Sequence, residues 1–484
     1  MKDALNSFTS DRVQVVLISS ILLFHLLSIT ISPMPWFDEV CFADISNSLL
    51  EGNGFNLVLA PYLEHHEHVI HYGPVFFTLQ AGSIWAAGLN TLGARLPGFL
   101  FAIASFLLFR NFITRTMGVN VNAWLLILVG LSLPTVSSTL HNGRMEFVGL
   151  LFWVASLHFI SRKGKVHVLI ASLLISLMLL TSPRSLVLVF GHGFLILWYN
   201  WNSVRELLYK LLIFGGVIFL MEYAWALYSA GGLMLYLDFM ISQSKGYVGG
   251  GFPFLPKDYP LLVLIFSSIV AIVIRWRSGA LDIKNELGWY CLSLINILVY
   301  LFLVNETGPY LVYLVFSILI LTVSILRLSN LWWRVGLVGF AATIVLIQCV
   351  KFGIIASEFE NRSSELAESV LAKSIPPNSV VLASDVYYYI LKEQGHTVHY
   401  LHHLAPKELL EFADKELAYT YLVLADYEYR ESKAWKGLVD NNPDKFVRLT
   451  EVKPTNISKV TSYTSNYGGA IFRKRYHIEI PLSD

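Results

Sequence analysis

Hydrophobic residues along this chain gather into long, nearly uncharged runs that fill most of its first three-quarters. Eleven of them, roughly 13–32, 95–110, 121–139, 146–161, 166–182, 185–200, 207–228, 259–275, 287–304, 309–326 and 332–355, approach the ~20 residues with which a helix crosses hydrocarbon. Lipid offers backbone N–H and C=O groups no partners, so runs of this kind are expected to be helices. Basic residues punctuate alternate connections: "RNFITR" at 110–115, "SRKGK" at 161–165, "VREL" with Lys210, "RWR" at 275–277, and Arg327 with Arg334. Cytoplasmic loops carry the Lys/Arg excess. These connections and the amino terminus are therefore expected in the cytoplasm, and 33–94, 140–145, 183–184, 229–258, 305–308 and 357–484 outside. That parity requires one further apolar run, "VFFTLQAGSIWAAGLN" at 75–90, not to cross. It is short and contains Gly82 and Gly88, and is expected to lie in the outer interface or dip into it.

Beyond residue 357 the pattern changes. "PNSVVLASDVYYYILKEQGHTVHYL" reads as strand, helix, strand; "YTYLVLAD" reads as a buried strand; "KFVRLTEV" and "GAIFRKRY" read as two more. The expected fold is a polytopic α-helical membrane protein with about 11 transmembrane helices and interfacial helices in the first outer loop. Residues 1–356 form its membrane module and 357–484 a small extracytoplasmic α/β domain. The tail has neither a Gly-rich phosphate loop nor Cys/His metal spacing, so no chemistry is assigned to it. No internal repeat is visible, which speaks against an inverted-repeat transporter.

Composition agrees. Of 484 residues, 55% are hydrophobic and 14% charged, and mean hydropathy is +0.58; soluble domains carry about a quarter charged residues. The net charge of +1 gives no reason to expect nucleic acid. Cys41, Cys291 and Cys349 lie far apart, two of them inside expected spans, so no disulfide framework is expected. The first apolar run lacks a cleavage signature and is read as an anchor in the inner or plasma membrane.

Candidate chemistry clusters at the expected outer side. Asp38 and Glu39 follow the first run directly, with Asp44 next; carboxylates there serve as general base, bind a cation, or solvate a loop. "YLEHHEHVIHY" at 62–72 puts four histidines and two glutamates in eight positions. As a helix it would place His65, His68 and His71 on one face, able to hold a divalent ion (zinc, manganese or magnesium). It is not His-Glu-x-x-His, since position 70 is isoleucine. Contact of His71 and Tyr72 with acceptor or headgroup, or a solvated loop, are the other readings. Arg144 and Arg184 stand at outer ends of spans, where a guanidinium beside hydrocarbon is costly and suits phosphate oxygens. Lys245 and Tyr247, in "SQSKGYVGGGF", are candidates to close over a headgroup, or a plain loop. His141 and Asn142 precede Arg144 and are expected near the same cavity. Glu306, in "NETGPY", is read as structural.

The series "WFDEVCFADISNSLLEGNGF", "HYGPVFFTLQA", "GARLPGFLFAIASFLLFR" and "HNGRMEFVGLLFWVASL" resembles, in order, the type C membrane glycosyltransferases, among them the protein O-mannosyltransferase and aminoarabinose lipid A transferase families. The likeness covers roughly residues 30–190. It implies transfer of a sugar from a polyprenyl-phosphate carrier to an extracytoplasmic acceptor, with inversion. The family's motifs look like Asp38-Glu39, Tyr72-Gly73-Pro74, Arg95-Leu96-Pro97 and Arg144-Met145-Glu146. The chain departs where members often read His-Pro-Pro or Lys-Pro-Pro, where they have Arg-x-Asp, and where Arg184 of "TSPR" stands for a frequent lysine. On this reading Asp38 is the base and Glu39 orients acceptor or cation. Arg144, Arg184 and Lys245 receive the phosphate, and His71, Tyr72, His141, Glu146 and Tyr247 contact substrate. An oligosaccharide ligase or polymerase with a lipid diphosphate donor would favour a large catalytic loop late in the chain. A lipid-linked sugar flippase would favour ionisable residues buried mid-span, and a non-catalytic assembly subunit would use the tail to recruit partners.

Overall fold

The computed structural model describes residues 10–61, 72–119, 122–162, 164–238, 258–304, 308–328, 330–400, 411, 415–426, 439–440, 442–453 and 467–475. Before the tail come α1 (Asp11–Ser28), α2 (Phe37–Leu50), α3 (Pro74–Ala87), α4 (Thr91–Arg115), α5 (Ala123–Ser132), α6 (Pro134–Thr139) and α7 (Glu146–Ile160). They are followed by α8 (Lys165–Leu179), α9 (Val187–Asn200), α10 (Val204–Ala230), α11 (Tyr259–Arg277), α12 (Leu287–Val299), α13 (Val315–Leu326) and α14 (Leu331–Ser357). The chain divides into two compact units: Met1–Leu27, Ile70–Leu79 and Arg95–Val350 form one, and Ser28–Val69, Gln80–Ala94 and Lys351–Asp484 the other.

Every one of the eleven hydrophobic runs is helical. Among the described residues, α1, α4, α10, α11 and α14 are by themselves long and apolar enough to cross a bilayer, and five shorter apolar helices accompany them. The other runs form shorter helices, and several of them are broken. The run 121–139 stops at Ser132, Leu133 is extended, and Pro134 restarts the chain as α6, since a proline disfavours helix in the residue before it. The run 287–304 ends in a π-helical turn at Tyr300–Val304. Runs 185–200 and 309–326 are entered through 3-10 stretches, Pro183–Leu186 and Gly308–Leu314.

In the first unit α7 packs on α8, α8 on α10, α9 on α12 and α11 on α13. All residues of α13 are buried, as expected of a helix apolar on every side. Phe316 meets Phe106 and Phe109 of α4 at 4.9 Å each, and Phe112 stands edge-on to Trp289 at 4.9 Å. Between helices in lipid such contacts act through dispersion and shape, with polar side chains adding short bonds. Asn296 Oδ1 takes the Gly191 N–H at 3.2 Å while its Nδ2 donates to Ser317 at 3.1 Å. The last turn of α11, the start of α12 and the end of α13 meet on Glu286, which binds Arg275 (Nη2 at 3.0 Å) and Arg327. Tyr290 donates to the same carboxylate at 3.3 Å.

The tail contributes to the second unit a five-stranded sheet of β1 (Val380–Ala383), β2 (Thr397–Tyr400), β3 (Tyr421–Ala425), β4 (Phe446–Val452) and β5 (Gly469–Lys474), in order β2-β1-β3-β5-β4. Two helices are described with it, α15 (Glu365–Ser374) and α16 (Tyr388–Glu393). The five strand-like stretches of the sequence are these five strands. Parallel β1 and β2 are joined through α16, β3 lies parallel on the other side of β1, and β5 runs antiparallel between β3 and β4. Central β3 is buried at every residue, the continuous apolar pattern of a covered strand. Edge strand β2 is met by the segment after α2: the Tyr400 N–H donates to the Leu59 carbonyl at 2.8 Å.

Candidate functional site

In the membrane unit, polar residues converge around one tyrosine ring. Arg144 and Glu146 open α7, and the carboxylate in the first turn complements the helix dipole. Arg144 Nε donates to Glu146 Oε1 at 2.7 Å, with both residues almost wholly buried (2% and 1% exposed). Gly98 of α4 lets that loop come close, since a Cβ there would lie 3.2 Å from the Arg144 carbonyl oxygen. The Arg144 guanidinium carbon lies 4.8 Å from the Tyr310 ring centroid, and that of Arg184 lies 4.1 Å from the same ring. A cation over an aromatic face gains up to ~2 kcal/mol when desolvated.

Local backbone explains how Arg184 and Tyr72 come together. Ser182 is extended and Pro183 starts the 3-10 turn that carries Arg184. Arg184 Nη1 donates to the Tyr72 hydroxyl at 3.1 Å. Tyr72 is fixed by its neighbours: a side chain at Gly73 would run into the Leu180 carbonyl, and the Val75 N–H donates to that carbonyl at 3.3 Å. Pro74 begins α3, where its missing N–H costs nothing. The Tyr-Gly-Pro departure from the family motif is thus a close-packing requirement on Gly73. His141 is buried and its Nε2 meets His25 Nδ1 of α1 at 2.8 Å. Arg95 is fully buried and Pro97 lies inside α4.

The second unit holds the acids. Asp38 and Glu39 occupy the first turn of α2, again at the positive end of a helix. Glu39 is fully buried, Asp44 nearly so, and Asp38 half-buried. Asp44 accepts from the Leu59 N–H at 2.6 Å and from the Tyr388 hydroxyl at 2.8 Å. The Tyr389 hydroxyl approaches Glu39 Oε1 at 3.5 Å. Burial raises the Asp44 carboxyl above its ordinary range, opposed by the charge of Lys392, the Leu59 N–H and Tyr388. Burial also pushes the Cys41 thiol well up, with Asp38, Asp44 and Asp385 adding to the effect, which keeps it protonated and unreactive.

His65, His68, His71, Lys245, Tyr247 and Glu306 lie outside the described residues. Among the described residues no three His, Cys, Asp or Glu side chains are arranged to hold a metal ion. Sequence reasoning singled out Arg144, Glu146, Arg184 and Tyr72, which share one cluster, and missed Tyr310 at its centre. Tyr310 closes the "NETGPY" stretch, where Glu306 draws attention first; the Gly-Pro before it was the available signal of a broken helix. Tyr388 and Tyr389 belong to "VYYY" in the tail, a run whose hydroxyls need partners once buried.

No family model matches the chain, and no curated protein matches it. Among solved structures, ArnT from Cupriavidus metallidurans bound to undecaprenyl phosphate is similar, with a TM-score of 0.60 and 12% identity over 95% of this chain and 97% of that one. The same protein in its apo state gives 0.57 at 11% identity, with the same coverage. The archaeal oligosaccharyltransferase AglB from Archaeoglobus fulgidus gives 0.48 at 12% identity, covering 97% of this chain and 75% of its own. What is shared with ArnT at such identities is the fold. The chain shares the ArnT fold along nearly its whole length, in line with the resemblance to the aminoarabinose lipid A transferase family that the four ordered motifs carry in its first part.

Proposed function

We propose that the protein transfers a sugar from a polyprenyl-phosphate carrier to an acceptor hydroxyl or amine on the outer membrane face. The observation that carries this reading is the pair of guanidiniums on Tyr310, one of them tied to Glu146, within a fold whose ArnT representative was solved with undecaprenyl phosphate. Two guanidiniums brought to one ring in a setting where charge is costly suit an anion. In the reaction the anomeric C–O bond breaks with its electron pair going to the lipid phosphate. Guanidinium forks match the developing charge on that phosphate bidentately. Glu146 pre-sets Arg144. Arg184 lies on the Tyr310 ring and donates to the Tyr72 hydroxyl, which holds its guanidinium beside that of Arg144 for the phosphate oxygens.

The acceptor must lose a proton as it attacks. Asp38, the more exposed of the acidic pair, takes it, and Glu39 orients the acceptor; attack opposite the departing phosphate inverts the anomeric centre. Lys245 adds a charge for the donor phosphate, and His71, Tyr72, His141 and Tyr247 complete the substrate contacts. The amino terminus lies in the cytoplasm and the tail outside, so a reporter fused after residue 116 reads cytoplasmic.

The test is transfer by purified protein in lipid nanodiscs, given a polyprenyl-phosphate sugar and membrane extract as acceptor source. Asp38→Asn is expected to lower the rate by about 10²–10⁴-fold. Full activity in that variant removes Asp38 from the role of base. Turnover only with a lipid diphosphate donor overturns the donor class. Chelation decides the His65, His68 and His71 face: unchanged transfer in EDTA assigns it no cation.

A further inference from the structure

The tail carries no catalytic motif, yet buried side chains of one β-α-β segment are turned toward α2. Tyr388 donates to Asp44 Oδ1 at 2.8 Å while Asp44 Oδ2 takes the Leu59 N–H at 2.6 Å. The adjacent Tyr389, its ring edge-on to that of Tyr388 at 5.2 Å, reaches Glu39 at 3.5 Å. Tyr400 at the end of β2 stacks on Phe37 at 4.5 Å, and its N–H holds the Leu59 carbonyl at 2.8 Å. Lys392 of α16 acts on Asp44, and Asp385 on Cys41. On α2 the positions Phe37, Cys41 and Asp44 are spaced i, i+4 and i+7, which stacks them on one helical face. Asp38 falls off that face and stays half-exposed.

We infer that the β1–α16–β2 segment is the positioning element of the acidic helix: Tyr388 holds Asp44 as an anchor, Tyr389 orients Glu39, and together they fix where Asp38 stands. Its catalytic meaning rests on the function proposed above. Asp44 is then an anchor and not a third catalytic acid: both its oxygens are taken within the protein. Tyr389 is a positioning residue, acting on the acceptor side of the reaction. Loosening it changes turnover and leaves capture of the donor phosphate alone.

The experiment uses the full chain in nanodiscs with two readouts. The first is amide hydrogen exchange over residues 37–50, which needs no activity. Tyr388→Phe removes one oxygen and keeps the ring, and is expected to speed exchange of α2 roughly tenfold with the membrane helices unchanged. If that variant does not fold, Tyr400→Leu, which loosens the stack on Phe37, supplies the same comparison. The second readout is steady-state transfer. Tyr389→Phe is expected to lower kcat roughly tenfold with donor KM unchanged, and to add nothing to Glu39→Gln in the double variant. Equal α2 exchange in variant and wild type overturns the anchor. Independent, multiplying effects of Tyr389→Phe and Glu39→Gln, or a change confined to donor KM, overturn the positioning role. A wild-type protein that transfers nothing from a polyprenyl-phosphate sugar overturns the proposed function instead, and exchange alone then decides whether the tail holds α2.

Discussion

Two clusters in the membrane unit are built from the same kinds of part: two arginines and one glutamate, with one tyrosine in the first and two in the second. In one, Glu286 binds both Arg275 and Arg327, Arg275 presents two nitrogens to it, and the Tyr290 hydroxyl joins the same carboxylate. In the other, Glu146 binds Arg144 through Nε, and Arg184 leans on the Tyr310 ring and the Tyr72 hydroxyl. The formal charge is the same in each. The first carboxylate answers both guanidiniums and ties three helices together, and an incoming anion would have to displace it. In the second, the ion pair is made by Arg144, and Arg184 lies on the face of the Tyr310 ring with a nitrogen on the Tyr72 hydroxyl. A glutamate that answers two guanidiniums makes the first cluster a staple, while the arginines on the Tyr310 ring are the ones proposed above to receive the donor phosphate.

Breaking the staple has the largest expected effect. Glu286→Ala leaves two guanidiniums without their carboxylate, a loss of about 3–5 kcal/mol for a buried pair, so thermal unfolding in detergent should show a large fall in Tm together with lost transfer. A variant that melts like wild type while losing transfer would make this cluster functional and erase the contrast. Arg184→Ala comes next: donor KM is expected to rise about 10–100-fold, the worth of charge-assisted bonds to phosphate, with Tm nearly unchanged. Arg184→Lys should recover only part of that, because an ammonium neither forks nor lies flat on a ring. Tyr310 sharpens the comparison further. Tyr310→Phe keeps the ring face and should stay near wild type, whereas Tyr310→Leu should weaken donor binding about 3–10-fold, from a cation–π term of ~1 kcal/mol. Equal effects of the two substitutions would give the hydroxyl, and not the ring, the role assigned here.

The legible parts of this molecule are those whose cause is local. Each hydrophobic run is helical, and the tail strands lie where alternating or continuous apolar stretches put them, because helix and strand answer to neighbours along the chain. Arg144 and Arg184 were legible as charges at the ends of apolar runs, which is costly without a purpose. The breaks were written in Pro134, Pro183 and the Gly-Pro before Tyr310, yet a window tuned to spanning length passes over them. What stayed hidden depends on distant pairing. Tyr388 and Asp44 are 344 positions apart, and nothing near Asp44 marks it as an anchor in contrast to Asp38. Arg275 and Arg327 read as loop charges and are also partners of Glu286.

Asp44 offers a third arrangement against which to set the two clusters: a buried carboxyl whose direct bonds come from a hydroxyl and from the backbone amides of Leu59 and Val58. Burial raises its carboxyl from the ordinary value of 3.8, with Lys392, Leu59 and Tyr388 opposing in part. The sign of the linkage follows. A group whose folded value is raised favours the folded state fully below its unfolded value, and that contribution is lost as pH climbs through the folded value. Asparagine resembles the protonated form and does not titrate. Across the range from about pH 4 to about pH 8, the Tm of Asp44→Asn should therefore gain on that of wild type as pH rises. The change should be small beside that of Glu286→Ala, since one oxygen still accepts from Tyr388 or Leu59. A difference between the two proteins that stays flat with pH, or that shrinks, would mean that Lys392 and the hydrogen bonds from Leu59, Tyr388 and Val58 outweigh burial and hold Asp44 as a carboxylate, bringing it closer to Glu286 in kind.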